Sequence, residues 1–279
     1  MKQCSNYPGR KSYLYPVPAV LLFMTLFFPV SANSTDAGLY LVGLGPGDPD
    51  LATVRALELI QNSDLIYTFG GDILERFDRY LKGKEIRELQ SGVFTRYYMR
   101  KSDQGDADLE NERRSMILGV RQAVSEGRKV VFIDNGDPLI YGPWAWMLQE
   151  FQDIGIEVVP GISSFNAGLA ALGRDPTWSA HTHSVLLTTD RPQSQDRLEE
   201  LAALQCSMVI FTHLTKFEEI IRKLRSRYLP QTPISIVLYA GFKDRESVIT
   251  GNLENIESKV QPDTLPFENI IFVGDFLTY

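Results

Sequence analysis

Two glycine-aspartate-proline turns constrain this chain most. Gly43-Leu44-Gly45-Pro46-Gly47-Asp48-Pro49 follows the apolar run Leu39-Tyr40-Leu41-Val42. Asn135-Gly136-Asp137-Pro138-Leu139-Ile140-Tyr141-Gly142 follows Val130-Val131-Phe132-Ile133. Each stands where a strand ends and a helix is expected to begin, which is where α/β proteins hold ligands against free backbone groups. A third element, Val158-Val159-Pro160-Gly161-Ile162-Ser163-Ser164, follows another expected strand. Three such turns point to one cleft with several walls.

Around these turns, strand and helix patterns alternate. Strands are expected at 39–43, 64–68, 84–88, 129–133 and 156–159, and helices at 50–62, 71–81, 107–126 and 143–154. The helix at 50–62 carries Leu51, Val54, Leu57 and Ile60 on one stripe. Continuous apolar strands between helices indicate a parallel sheet covered on both faces. A second group follows, with strands at 184–188, 207–211, 234–238, 246–250 and 269–273 and helices at 164–171, 196–204, 215–227 and 252–259. The short spacing of 234–238 and 246–250 around Gly241 suggests an antiparallel hairpin and hence a mixed sheet. The fold class is therefore α/β with two α/β domains, 38–160 and 161–279. Residues 90–106 lack periodicity and read as a long loop of the kind that often carries function.

The first 32 residues stand apart. Lys2, Arg10 and Lys11 precede a twelve-residue apolar stretch, Ala19–Val30, and Val30-Ser31-Ala32 suits signal peptidase. This reads as a secretory signal peptide, because a membrane-spanning helix needs about 20 apolar residues. An uncleaved anchor is the alternative. Localisation is then exported or anchored. The whole chain has net charge −7, and the leader holds three basic residues and no acidic one. An acidic body argues against generic nucleic-acid binding. Cys4 lies in the leader, so the remaining Cys206 has no disulfide partner and reads as a small buried hydrophobe.

The first turn superficially fits a glycine-rich nucleotide loop. However, the strand Leu65-Ile66-Tyr67-Thr68 has no acid at its tip for a ribose, and Pro46 and Pro49 remove amide donors. No Walker-type glycine-lysine motif is present either. Ordinary turn chemistry would explain one glycine-aspartate-proline turn. Two of them, with Pro-Gly-Ile-Ser-Ser in the right later place, ask for more.

Gly43 to Leu51, Gly127 to Gly142 and Val158 to Ser164 together closely resemble the tetrapyrrole methylases. These are S-adenosylmethionine-dependent enzymes such as uroporphyrinogen-III and precorrin-4 C-methyltransferases. The resemblance covers about residues 38–277, and Ile270-Ile271-Phe272-Val273-Gly274 is similar to the family's last strand. It implies a cofactor folded into the interdomain cleft, a small-molecule tetrapyrrole substrate and a homodimer. The implied cofactor contacts are Pro46, Asn135, Gly136, Asp137, Ile140, Ser163, Ser164, Thr212 and Gly241. Two of these depart from the family: Thr212 stands where relatives carry Met or Leu, and Asn135 where Gly or Thr is commoner. Asp137 would orient the cofactor's polar groups, cap a helix starting near Leu139, or do both. Arg96, Tyr97, Tyr98 and Arg100 in the long loop are substrate candidates, since aromatic and cationic side chains suit a flat, carboxylate-rich ring. Arg113 and Arg114 are lesser ones.

Methyl transfer from a sulfonium needs alignment and a dry pocket more than acid or base, and no nucleophile-base pair is visible. No catalytic residue is assigned. His181 and His183 share a strand face with no assignable third ligand, so no metal is expected. Trp144 and Trp146 read as core or dimer residues. Two alternatives stay open: an exported, non-catalytic tetrapyrrole-binding or assembly protein, since the cofactor is made in the cytoplasm, and a peptide-backbone methyltransferase, although the helix Glu110–Met116 lacks that group's Tyr.

Overall fold

Five strands of the first half form one parallel sheet, and five of the second half form a mixed one. The computed structural model describes residues 37–89, 107–179, 181–189, 197–211, 217–260 and 265–278. The expected leader lies outside these residues, as do Arg96, Tyr97, Tyr98, Arg100 and Thr212.

The first sheet is built from β1 (Gly38–Gly43), β2 (Leu65–Thr68), β3 (Glu85–Glu88), β4 (Lys129–Asp134) and β5 (Glu157–Val159), in the order β3-β2-β4-β1-β5. The pleat sends alternate residues to opposite faces. Val130 and Phe132 join Leu39, Leu41, Tyr67, Trp144 and Phe151 on one side, against Met116 and Val120 of helix α4. Val131 and Ile133 join Tyr40, Val42 and Ile66 on the other, against Ala56 and Ile60 of helix α1 and Phe77. Both faces are buried at the central strands β1, β2 and β4, which is why these read as apolar runs, while the edge strand β3, Glu-Ile-Arg-Glu, is largely exposed. The intervening helices are α1 (Val54–Gln61), α2 (Asp72–Arg76), α3 (Asp78–Leu81), α4 (Ala107–Ser125) and α5 (Met147–Glu150). Trp144 and Trp146 are core residues.

The second sheet holds β6 (Val185–Thr189), β7 (Ser207–Phe211), β8 (Pro233–Leu238), β9 (Ser247–Asn252) and β10 (Asn269–Val273), ordered β6-β7-β10-β8-β9. Only β6 and β7 run parallel; β8 and β9 form the expected hairpin. Helix α6 (Ser164–Leu172) covers one face, with Ala167 packed beside Phe272 and Ile270. Helices α7 (Leu198–Ala202) and α8 (Phe217–Arg225) cover the other.

Several helices are shorter than their patterns suggest. The one expected at 50–62 begins only at Val54, because Thr53 takes an extended conformation and its hydroxyl accepts from Ala56 N at 3.2 Å. The buried face is then Ala56 and Ile60, and Val54, expected on the stripe, is 71% exposed. The helix at 71–81 is split at Phe77. The helix at 143–154 shrinks to Met147–Glu150. Upstream the chain curls so tightly that a Cβ on Gly142 would sit 2.0 Å from the Pro138 carbonyl. Near 252–259 only a 3-10 turn forms, after Asn252 and Asn255 cap each other's amides at 3.1 and 3.0 Å. Cys206 is half-buried rather than buried, in the bend before β7.

This revised α1 face is testable by urea unfolding. Ile60→Ala should cost about 2–5 kcal/mol. Val54→Ala should stay within about 0.5 kcal/mol of the parent.

Candidate functional site

The turns leaving β1, β4 and β5 meet backbone to backbone. Leu44 N donates to Asp134 O at 2.9 Å, and Gly45 N to Gly136 O at 3.3 Å. A Cβ on Gly43 would lie 2.5 Å from Gly136 O and 2.6 Å from Gly161 N, and one on Gly161 would lie 2.2 Å from Gly136 O. No side chain fits at those distances, so glycine is required for the approach itself. The second sheet's β8–β9 hairpin joins the same place. Asp48 N donates to Gly241 O at 2.9 Å, and a Cβ on Gly47 would meet that carbonyl at 2.1 Å. Lys243 N donates to Asp48 Oδ2 at 3.1 Å, and the Lys243 ammonium pairs with Asp50.

Most of the positions singled out in the sequence therefore come together. Pro46 is half-buried between Gly45 and Gly47. Gly136 has φ 79°, with Ile162 O and Ser164 Oγ about where its Cβ would make ordinary contact. Ser163 is buried and caps α6, its hydroxyl accepting from Phe165 N at 3.2 Å. Asp137 caps a turn, since no helix starts near Leu139: its Oδ1 accepts from Leu139 N at 2.8 Å. Asn135 and Ile140 are exposed, and Gly241, at φ 86°, is half-buried. Ile140, Leu139, Tyr141, Gly142, Ala145 and Leu187 line a pocket of about 330 Å³. Both halves of the chain contribute to it: the Tyr141 hydroxyl donates to Leu187 O at 3.1 Å, and its ring lies 4.9 Å from Phe211. His181 instead pairs with Asp275, His183 faces Thr177 O, and no metal-binding group forms among the described residues.

Three features had not been assigned from the sequence. Tyr141 and Tyr239 both hold left-handed backbone, φ 58° and 51°, a strained state that bulky residues keep only where surroundings impose it. Arg76 reaches across from α2 to Gly47 O and Asn135 Oδ1. Asp134 ends the central strand with its carboxyl buried and Oδ2 unpartnered. Burial pushes its pKa up to about 8, opposed by the Asn135 amide and reinforced by Asp137, so it carries a proton at neutral pH. The one available signal was an acid closing an otherwise apolar strand.

Residues 38–257, well over half of the chain, match the family model described as Tetrapyrrole (Corrin/Porphyrin) Methylases. The chain belongs to this family. A cobalt-precorrin-4 C(11)-methyltransferase of Methanocaldococcus jannaschii is 29% identical over 246 residues, spanning 85% of this chain and 87% of the relative. A precorrin-4 C(11)-methyltransferase of Mycobacterium tuberculosis is 29% identical, spanning 86% and 91%. A siroheme synthase of Hahella chejuensis is 30% identical over 86% of this chain, which spans 50% of that relative's length. Among solved structures, a cobalt precorrin-4 methyltransferase superposes with TM-score 0.67 at 24% identity, covering 86% of this chain and 95% of the other. A uroporphyrin-III C-methyltransferase from Thermus thermophilus, complexed with S-adenosylhomocysteine, has TM-score 0.62 at 23% identity, covering 87% and 99%. The family and the two-sheet fold agree with the resemblance read from the three turns.

The buried Asp134 makes stability depend on pH with a defined sign. Its folded pKa lies above the ordinary carboxylate value, so the native state keeps a proton that the unfolded chain releases. Stability should fall as pH rises from about 4 towards 8, by about 1.4 kcal/mol per unit from this group. Asp134→Asn should be more stable than the parent at pH 8, with the gap closing near pH 4, as read by denaturant melts across pH. A gap independent of pH would contradict a buried, protonated Asp134.

Proposed function

We propose that the chain is an S-adenosylmethionine-dependent methyltransferase that methylates a carbon of a tetrapyrrole. The observation carrying this is the convergence of four loops, at 43–48, 134–142, 161–164 and 241–243, beside an apolar pocket. The residues present suit such a cofactor. Ile140 and Leu139 are 38% and 51% exposed on that pocket, apolar surface that a nucleoside would cover. Gly136 and Gly161 add no side chain where the turns meet, and Asp137 keeps a second carboxylate oxygen beside the one its own turn uses. When bound, S-adenosylmethionine supplies a methyl group on a positively charged sulfur. The residues around it hold the donor in one orientation and exclude water, while Asp134 offers a neutral carboxyl near the strand ends rather than a second charge. This reading includes a secretory leader at residues 1–32 and a homodimer.

Titration calorimetry of the purified protein with S-adenosylhomocysteine should give saturable binding at one site per chain. Ile140→Asp should weaken it tenfold or more, about 1.4 kcal/mol, with an unchanged melting temperature because the side chain packs against no core. Methyl transfer is then assayed on reduced uroporphyrinogen-type and precorrin-type rings. Absence of binding at millimolar ligand would end the proposal.

A further inference from the structure

Arg76 occupies an unusual place for an arginine on a five-residue surface helix. Its side chain is only 10% exposed, and burial holds its pKa below the usual arginine value. One arm of the guanidinium donates to Gly47 O on the first turn. Another donates to Asn135 Oδ1 on the second turn, at 2.5 Å. Its Nε lies 3.3 Å from Asp72 Oδ2. Its face covers the ring of Phe242, in the loop after β8, at 5.1 Å. Arg245 covers the same ring at 4.1 Å and reaches the same Asp72 oxygen at 3.2 Å. Thus one side chain touches the loop after β1, the loop after β4 and the hairpin loop of the second sheet. Asp72 compensates both arginines.

A partly buried ion pair of this kind adds little net stability, because desolvation and solvent screening offset the attraction. Its geometric effect is larger. The guanidinium fork is rigid and planar, so its two hydrogen bonds fix the separation of Gly47 from Asn135. We propose that Arg76 is a positioning residue: it sets the spacing of the two turns and holds Phe242 and its loop against them, so that all three loops present their backbones to one ligand. The identity of that ligand rests on the methyltransferase reading, while the Arg76 contacts stand independently of it. Asn135 thereby acquires a role as the side-chain acceptor for this fork.

The test compares the parent, Arg76→Lys, Asn135→Ala and the double variant. Lysine keeps the charge and the aliphatic stem but cannot make both bonds in one plane. Titration with S-adenosylhomocysteine should show each single variant binding tenfold or more weakly, with melting temperatures close to the parent. The double variant should bind no more weakly than the worse single, since both remove one contact. Parent-like affinity in Arg76→Lys, or additive losses in the double variant, would overturn the proposal. If the parent itself does not bind, the methyltransferase reading fails and amide hydrogen exchange decides for Arg76. Faster exchange at 44–48 and 241–246 in Arg76→Lys, with the sheets unchanged, supports it; unchanged exchange in those loops refutes it.

Discussion

The site depends on main chain touching main chain without intervening side chains. Gly43, Gly136 and Gly161 come from three strands of one sheet, and Gly47 and Gly241 bring the second sheet to the same place. At Gly43, Gly47 and Gly161, where a Cβ would lie 2.1 to 2.6 Å from neighbouring backbone atoms, even a methyl group would push the loops apart. Sheet order, with β4 and β1 adjacent and β5 at their side, puts three loop exits next to one another. The two lobes meet in the same way, main chain to main chain, where Asp48 N donates to Gly241 O. Their contact is set by backbone geometry, and side chains such as Ile140 and Leu187 only finish the surface.

Polar groups around this contact are costly to keep. Asp134 is buried without a partner for Oδ2, Arg76 is largely desolvated, and Tyr141 and Tyr239 hold left-handed backbone. Each lowers stability relative to a fully apolar or relaxed alternative. Their concentration around the converging loops, and not in the cores beneath, is the pattern expected where geometry has been favoured over stability.

The central strands were legible because both faces of the first sheet are buried there, so Leu39–Val42 and Val130–Ile133 admit no polar interruption. The glycine turns were legible because few other residues fit there. Helix lengths were less so. Thr53 can extend a helical pattern or cap a helix, and the Asx turn at Asp137 with the curl at Gly142 overrides the propensity of the residues that follow. Arg76 left no trace in sequence, since an arginine on a short amphipathic helix ordinarily faces water. Its partners lie 29 and 59 positions away, and only the folded arrangement makes them neighbours.

The placement of β1 between β4 and β5 also sets a schedule for synthesis. That strand pairs with residues 129–134 and 157–159 and with no nearer segment. While the ribosome is still translating the intervening helices, Leu39–Val42 is a fully apolar ribbon with both edges open. Parallel sheets of this kind close late, and such ribbons invite wrong partners. The nascent polypeptide must remain shielded, by chaperone or by transient local collapse, until β4 emerges and the centre of the first sheet can be assembled in one step.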